Sequence, residues 1–232
     1  MRLLQAGLRR LGLFVAVLLC YVVIGQIIIR VKHRLKPEPM PLKSAPILRS
    51  PARRKLFGTP EQIIERAGVA VGMRVLEIGP GPGNFTVALA RRVASQGSVT
   101  CVEIQPEMID MLRKLLSTEQ VNNVEIVQGN AQKLTFPDES FDLVFLAAVV
   151  GEVPDVQAFF QECVRVLKPG GLLTVTEQIS DPDFHMPGSI RKLARNAGLE
   201  GDGFAGLPWW IYTARYRKPV AVSSPKHVAN VH

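Results

Sequence analysis

The sequence predicts an α/β protein built on a mostly parallel β-sheet with helices on both faces. Three observations support this prediction: short apolar runs alternate with helical patterns, the runs are apolar throughout, and glycines or prolines separate many of them. Strands that are apolar throughout are buried on both sides, as in parallel sheets covered by helices. A chain of 232 residues is long enough for one such domain with appended segments.

The first helix of this domain is predicted at residues 60–67. Thr59 is a suitable N-cap, Pro60 suits the first helical position, and Gln62 stands three residues after the cap, as in a capping box. Gly68 then ends the helix, because glycine readily adopts the left-handed conformation found after helices.

Strands and helices alternate after this helix. The five apolar runs predicted as parallel strands are residues 74–78, 99–103, 124–128, 141–146 and 172–176. The helical patterns between and after them are residues 84–94, 106–116, 155–167 and 189–197, the third ended by a Lys-Pro-Gly-Gly loop at 168–171. Two final strands, at 199–204 and 210–216, are too close in sequence for a crossover helix and are predicted to pair antiparallel.

The net positive charge of the chain comes from its N-terminal quarter. The formal net charge is +8 overall, with +11 on residues 1–55 and −3 on residues 56–232. The globular part is therefore mildly acidic, which argues against a nucleic-acid partner. The three cysteines have neither a disulfide framework nor zinc-ligand spacing, so we predict buried thiols and no metal.

An uncharged stretch at residues 11–29 follows a short basic N-terminus at residues 1–10. As a helix it would span about 28 Å, close to the ~30 Å hydrocarbon core of a bilayer. A cleaved signal peptide and a mitochondrial presequence are the alternatives, but the stretch is too long for the first and insufficiently amphipathic for the second. We predict a single-pass transmembrane anchor. The heavier positive charge after it places the globular part in the cytoplasm.

The segment at residues 30–57 is basic and rich in proline. Six prolines between residues 36 and 60 disfavour helix and strand, so this segment is predicted to be a semi-rigid linker. Its basic side chains either contact anionic headgroups or are simply solvated. The predicted globular domain is residues 58–218, followed by a tail at 219–232.

Candidate ligand-binding residues follow the first three predicted strands. The first strand runs into an E-x-G-x-G-x-G pattern at residues 77–83. The next residue, Asn84, stands where a dinucleotide loop G-x-G-x-x-G would have its third glycine. The second strand ends in Glu103, which is placed to accept hydrogen bonds from ribose hydroxyls. The third is followed by Asn130, which is either an adenine contact or only a turn residue. Together these residues predict a nucleoside ligand without a phosphate.

These residues resemble the class I S-adenosylmethionine-dependent methyltransferases, in particular the small-molecule branch near the quinone-biosynthesis enzymes. The resemblance covers roughly residues 58–217 and rests on the matching segments 75–83, 102–103, 129–131, 134–142 and 166–171. It implies a Rossmann-like sheet of seven strands in the order 3-2-1-4-5-7-6, and S-adenosyl-L-methionine as cofactor.

The resemblance also implies roles for individual residues. The cofactor-binding set comprises the methionine-binding Glu77, Gly79, Gly81 and Gly83, the ribose-binding Glu103, and the adenine-flanking Asn130 and Ala131. Many relatives have Asp at the position of Asn130, whose neutral amide would bind adenine without charge assistance. The Asn-Pro-Pro-aromatic motif of enzymes that methylate exocyclic amines on nucleic acids is absent after the fourth strand.

Methyl transfer from a sulfonium needs alignment and exclusion of water, and a general base only if the acceptor loses a proton. Glu152, His185 and Tyr212 are candidate bases, although ordinary structural roles explain each of them, and no catalytic residue is assigned. Trp209 and Trp210 either line an apolar pocket or pack on the sheet. We expect a small apolar acceptor, such as a lipid or a quinone-like ring. The rival interpretations are another transferase using the same cofactor and a non-catalytic cofactor-binding or membrane scaffold protein.

Overall fold

The computed structural model contains one seven-stranded sheet and describes residues 24, 25, 28, 30–32 and 35–220. The strands are β1 (Arg74–Ile78), β2 (Ser98–Glu103), β3 (Val124–Gln128), β4 (Phe141–Ala147), β5 (Leu167–Gln178), β6 (Glu200–Leu207) and β7 (Ile211–Arg217). Their order is β3-β2-β1-β4-β5-β7-β6, with the first five parallel and β7 antiparallel to both neighbours. The predicted sheet and its strand order are confirmed.

Seven α-helices cover or flank this sheet in the described part of the chain. They are α1 (Ala45–Leu48), α2 (Pro51–Phe57), α3 (Pro60–Ala67), α4 (Thr86–Val93), α5 (Pro106–Thr118), α6 (Val156–Val166) and α7 (Pro187–Asn196). Short 3₁₀ turns lie at Leu42–Ser44 and Val150–Glu152. The capping box predicted for α3 is present: Gln62 N donates to Thr59 Oγ1, and Thr59 N donates to Gln62 Oε1.

Two hydrophobic clusters lie on opposite faces of the sheet. One contains Leu76 and Ile78 of β1 with Phe159 of α6. The other contains Val75 of β1 with Leu89 of α4. Side chains alternate between faces along a strand, so β1 contributes to both clusters. Helices therefore cover both faces, as predicted. Cys101 and Cys163 are buried free thiols, whereas Cys20 lies outside the described residues.

The expectation that prolines keep residues 36–60 free of helix is wrong. A 3₁₀ turn and two short helices, α1 and α2, form there. Pro51 occupies the first turn of α2, where a missing N–H costs nothing, and the Ser50 side chain accepts from Arg53 N. Phe57 at the end of α2 is buried in the cluster that contains Val75.

The loop predicted at residues 168–171 is part of a longer strand. β5 begins directly after α6, and its N-terminal part bonds to the residue that follows β7: Gly170 N donates to Lys218 O at 2.8 Å, and Lys218 N donates to Gly171 O at 2.9 Å. The register between β4 and β5 shifts between Phe141 and Leu143, which accommodates the extra residues.

No helix within the described part of the chain is long and apolar enough to cross a membrane. The predicted anchor at residues 11–29 lies outside the described residues, apart from positions 24, 25 and 28. It therefore stays a prediction.

Candidate functional site

A cavity of about 750 Å³ lies at the carboxyl ends of β1, β2 and β4, where the strand order reverses. This is the expected ligand position in an open α/β sheet. Residues 37–57, which we call the cover segment, contribute its opposite wall. The volume lies in the upper half of the ~300–1,000 Å³ range of small-molecule sites. Of the seven predicted cofactor-binding residues, all of them described, those that line it are Gly79, Gly81, Glu103, Asn130 and Ala131.

The glycine-rich loop after β1 forms the floor of the cavity, and all three of its glycines have positive φ. A Cβ on Gly81 would meet no atom closer than Leu48 Cδ1 of the cover segment, at 4.0 Å. A Cβ on Gly83 would lie 2.6 Å from Leu115 Cδ2 and 2.7 Å from Leu112 Cδ1. Gly81 therefore leaves space open to a ligand, whereas Gly83 allows close packing against α5.

Glu103 at the end of β2 joins the glycine-rich loop to the second strand. Its buried carboxylate accepts from Ile104 N at 2.8 Å and Gln105 N at 3.0 Å through one oxygen, and from Gly81 N at 3.1 Å through the other. A carboxylate has about four acceptor positions, so the oxygen that faces Gly81 can take one further donor. This geometry suits a ribose hydroxyl.

Glu77 and Gly83 are not among the residues that line the cavity. The Glu77 side chain is buried behind the loop, where Thr86 Oγ1 donates to it at 2.7 Å and Cys101 Sγ at 3.4 Å. Burial raises the pKa of Glu77 to about 7, against the opposing effect of these hydrogen bonds. The structure gives Glu77 a contact with the start of α4, and its role as a direct cofactor contact stays a prediction.

Asn130 stabilises a turn through its side chain and also lines the cavity. Its Oδ1 accepts from Gln132 N at 2.9 Å, which is the turn interpretation of the Gly-Asn pair. The preceding Gly129 N donates to Glu103 O at 3.0 Å, so the turn is fixed to the end of β2. The amide oxygen keeps a second lone pair, and both N–H groups lack a described acceptor, so the side chain still suits adenine.

An acidic wall of the cavity is formed by three residues that follow β4 and β5: Glu152, Asp181 and Asp183. Burial raises the pKa of Glu152 to about 8, and the negative charge of Asp181 adds to this effect. Burial likewise raises the pKa of Asp181 to about 6, with Arg53 acting in the opposite direction. A cationic ligand would stabilise these carboxylates, which otherwise repel one another.

The three candidate bases have different positions. Glu152 lines the cavity, whereas His185 and Tyr212, both described, are not among the lining residues. Tyr212 is buried, and its hydroxyl donates a hydrogen bond to the His185 carbonyl, so the buried hydroxyl has a partner. Trp209 and Trp210 are not among the lining residues either; Trp210 stacks on Phe57 with ring centroids 5.2 Å apart. Of the three candidates, Glu152 follows the carboxyl end of a parallel strand most closely in the sequence, and this position after β4 could have singled it out.

The cover segment is a part of the site that the sequence did not predict. Arg53 Nη1 donates to Leu48 O at 3.1 Å, and Asn84 at the glycine-rich loop, with its amide turned to satisfy both neighbours, donates to Leu48 O and accepts from Arg53. Gln105 Nε2, after β2, donates to Met40 O at 3.1 Å. These hydrogen bonds hold the segment over the cavity, and no periodic pattern in the sequence indicates them.

Comparison with known proteins finds a methyltransferase model similar to the central part of the chain. Residues 76–175 match the family model described as a methyltransferase domain. This match agrees with the resemblance of residues 58–217 to the class I S-adenosylmethionine-dependent methyltransferases. The cofactor of that family is S-adenosyl-L-methionine.

Similar curated proteins come from quinone biosynthesis. The ubiquinone/menaquinone biosynthesis C-methyltransferase UbiE of Shewanella halifaxensis is 41% identical over 115 residues, which are 49% of this chain and 46% of that protein. The demethylmenaquinone methyltransferase of Staphylococcus aureus is 35% identical over 117 residues, 50% of this chain and 48% of that protein. The matched region thus spans about half the length of these relatives.

Solved structures confirm the fold. A SAM-dependent methyltransferase from Aquifex aeolicus superposes with a TM-score of 0.70 at 22% identity, covering 77% of this chain and 98% of that one. The [4+2]-cyclase SpnF superposes with a TM-score of 0.62 at 18% identity, covering 70% of this chain and 80% of that one. One fold thus carries different reactions, and the reaction has to be argued from the site.

The described residues fit S-adenosylmethionine. Glu103 would hold the ribose, and Asn130 with Ala131 would flank the adenine. The glycine-rich loop leaves open space at Gly81 for the methionine part. A cationic sulfonium would favour the ionised form of the carboxyl groups that line the cavity, Glu152 among them.

Proposed function

We propose that this protein transfers the methyl group of S-adenosylmethionine to a small apolar acceptor of the quinone-precursor class. The observation that carries the proposal is the cavity, which is lined by Glu103 and the glycine-rich loop together with Glu152 and apolar side chains such as Met40 and Val153. Its volume of about 750 Å³ leaves room for a small acceptor beside the cofactor. The similar quinone-biosynthesis enzymes support the acceptor class.

The chain itself supplies alignment, exclusion of water and a proton acceptor. When bound, the cofactor supplies an electrophilic methyl group on a sulfonium whose sulfur keeps the electron pair of the broken bond. Residues 37–57 cover the cavity and exclude water from the reacting atoms. A ring carbon or hydroxyl that gains the methyl group loses one proton, and we assign Glu152, a lining carboxylate whose pKa is raised to about 8, as its acceptor.

Methyl incorporation tests this function. Full-length protein is incubated with methyl-labelled S-adenosylmethionine and a total membrane extract, and label is counted separately in the quinone fraction, the remaining lipid and the protein. We expect label in the quinone fraction, and its loss in Glu103→Gln. Asp110→Asn, an exposed acid on α5 paired with Arg113, is the matched control and should keep activity. Label found in protein alone would contradict the proposed acceptor class.

We also propose that residues 11–29 anchor the protein in a membrane, with the methyltransferase domain on the cytoplasmic side. The length of the uncharged stretch and the heavier positive charge after it support this topology. Protease digestion of sealed vesicles tests it. The domain should be degraded in inverted vesicles and protected in right-side-out ones, and the opposite pattern would reverse the orientation.

A further inference from the structure

Apolar side chains are exposed at the same edge of the sheet as the cavity. They belong to the tryptophan turn (residues 207–210), which joins β6 to β7, and to Leu56 of α2. Trp209 is 62% exposed and Leu56 58% exposed, and Leu207 and Trp210 are also exposed. Large apolar side chains grouped in this way commonly mark an interaction surface.

The sheet register places this turn beside the cavity. Ile211 at the start of β7 pairs with Gln178 at the carboxyl end of β5, and Gln178 lines the cavity. Ile179 N donates to Trp210 O at 2.7 Å. The tryptophan turn therefore extends from the carboxyl edge of the sheet.

The turn is also fixed to the cover segment. Trp210 Nε1 donates to Leu56 O at 3.1 Å, and the Trp210 ring stacks on Phe57. These contacts hold Leu56 next to the turn. The two residues before Leu56 in α2, Arg54 and Lys55, are exposed and basic. Exposed basic residues therefore adjoin the apolar side chains in the sequence of α2.

The N-terminal segment reaches the same edge. Arg30 Nη2 donates to Ile179 O at 2.6 Å, and Ile179 is bonded to the tryptophan turn. Exposed apolar side chains before the cover segment follow helical spacing: Ile24, Ile28, Val31 and Leu35. The adjoining sequence is strongly basic, since residues 1–55 carry a formal charge of +11.

We propose that Arg54, Lys55, Leu56, Leu207, Trp209 and Trp210 form a docking surface for an anionic lipid bilayer. Tryptophan has an apolar ring and a polar N–H and is favoured at membrane interfaces, while neighbouring Arg and Lys attract anionic headgroups. The surface turns the cavity edge toward the bilayer, so an apolar acceptor would enter from the lipid phase. That last consequence rests on the proposed function, whereas the docking itself does not.

Intrinsic tryptophan fluorescence reports contact of this surface with lipid, because the two tryptophans of the chain are both in the turn. Full-length protein is reconstituted into lipid discs containing phosphatidylglycerol and phosphatidylcholine with brominated acyl chains, and its emission is compared with that in unbrominated discs. An interfacial tryptophan lies about 5–10 Å into the headgroup boundary, so we expect the emission to fall to about half or less. Because no turnover is needed, failure here is distinguishable from absence of methyl transfer.

A matched control moves the reporter to the other end of the sheet. Trp209→Phe and Trp210→Phe are combined with Val71→Trp, since Val71 is exposed before the start of β1. This variant should not be quenched. The proposal is overturned if both proteins are quenched equally or if the native protein is not quenched. It is also overturned if the native protein does not float with lipid. Equal quenching in discs of phosphatidylcholine alone overturns the assignment to anionic lipid.

Discussion

Replacement of Glu77 by glutamine should stabilise the protein at alkaline pH. Burial raises the pKa of Glu77 from 4.5 to about 7, so the folded protein binds this proton more tightly than the unfolded chain. Stability then falls as the pH rises from about 4.5 to about 7, because ionisation is easier in the unfolded state. A shift of this size corresponds to about 3 kcal/mol. Gln cannot ionise, and its oxygen can still accept the hydrogen bond from Thr86.

Urea unfolding of full-length protein in a mild detergent, followed by circular dichroism between pH 5 and pH 8.5, measures this effect. Glu77→Gln should match the native protein at the acidic end and exceed its free energy of unfolding by up to about 3 kcal/mol at the alkaline end. Asp110→Asn serves as the control, since its exposed carboxylate should leave the pH dependence unchanged.

The same variant separates two roles for Glu77. Affinity for S-adenosylmethionine should change little, because Glu77 is not among the residues that line the cavity. A variant that is less stable than the native protein at pH 8.5, or that shows the same pH slope, would refute the reasoning from burial. A large loss of cofactor affinity with unchanged stability would instead support the direct contact expected from the sequence.

Three further predictions concern the loop and the acidic wall. Gly83→Ala should lower the free energy of unfolding by about 2–4 kcal/mol in urea, because its Cβ would overlap Leu115 at an unfavourable φ. Gly81→Ala should cost less stability, since its nearest neighbour is Leu48 at 4.0 Å, but should weaken cofactor binding in calorimetry. Glu152→Gln should lower kcat by about 10²–10⁴-fold and abolish the rise in rate toward pH 8, and an unchanged pH–rate profile would exclude Glu152 as the base.

The sheet was predictable because its signals are local. β1 and β3 have the predicted bounds, since apolar runs between turn residues leave little choice of register. The two ends of α3 were equally clear: Thr59 marks its start and Gly68 its end, and each cap depends on a few adjacent residues. The strand order came from family resemblance, because pattern alone does not say which parallel strands are neighbours.

The cover segment could not be predicted in the same way. α1 has four residues and α2 seven, too few for a helical period to show in the sequence. Contacts far apart in the chain fix them in place, including Trp210 with Leu56. The burial of Glu77 could have been predicted from the sequence more easily. Side chains alternate along β1, so Glu77 lies on the same face of the sheet as Val75, the face covered by the helix that begins at Thr86.

Binding of S-adenosylmethionine to full-length protein and to Glu103→Gln, measured by calorimetry, tests the central claim most directly. The account predicts a single site in the native protein. In the variant the affinity for S-adenosylmethionine should fall at least about tenfold, because the charged group that accepts hydrogen bonds from the ribose is lost. Asp110→Asn should bind like the native protein. Undiminished affinity in a folded Glu103→Gln protein, or no binding by the folded native protein, would contradict the assignment of this cavity to the cofactor.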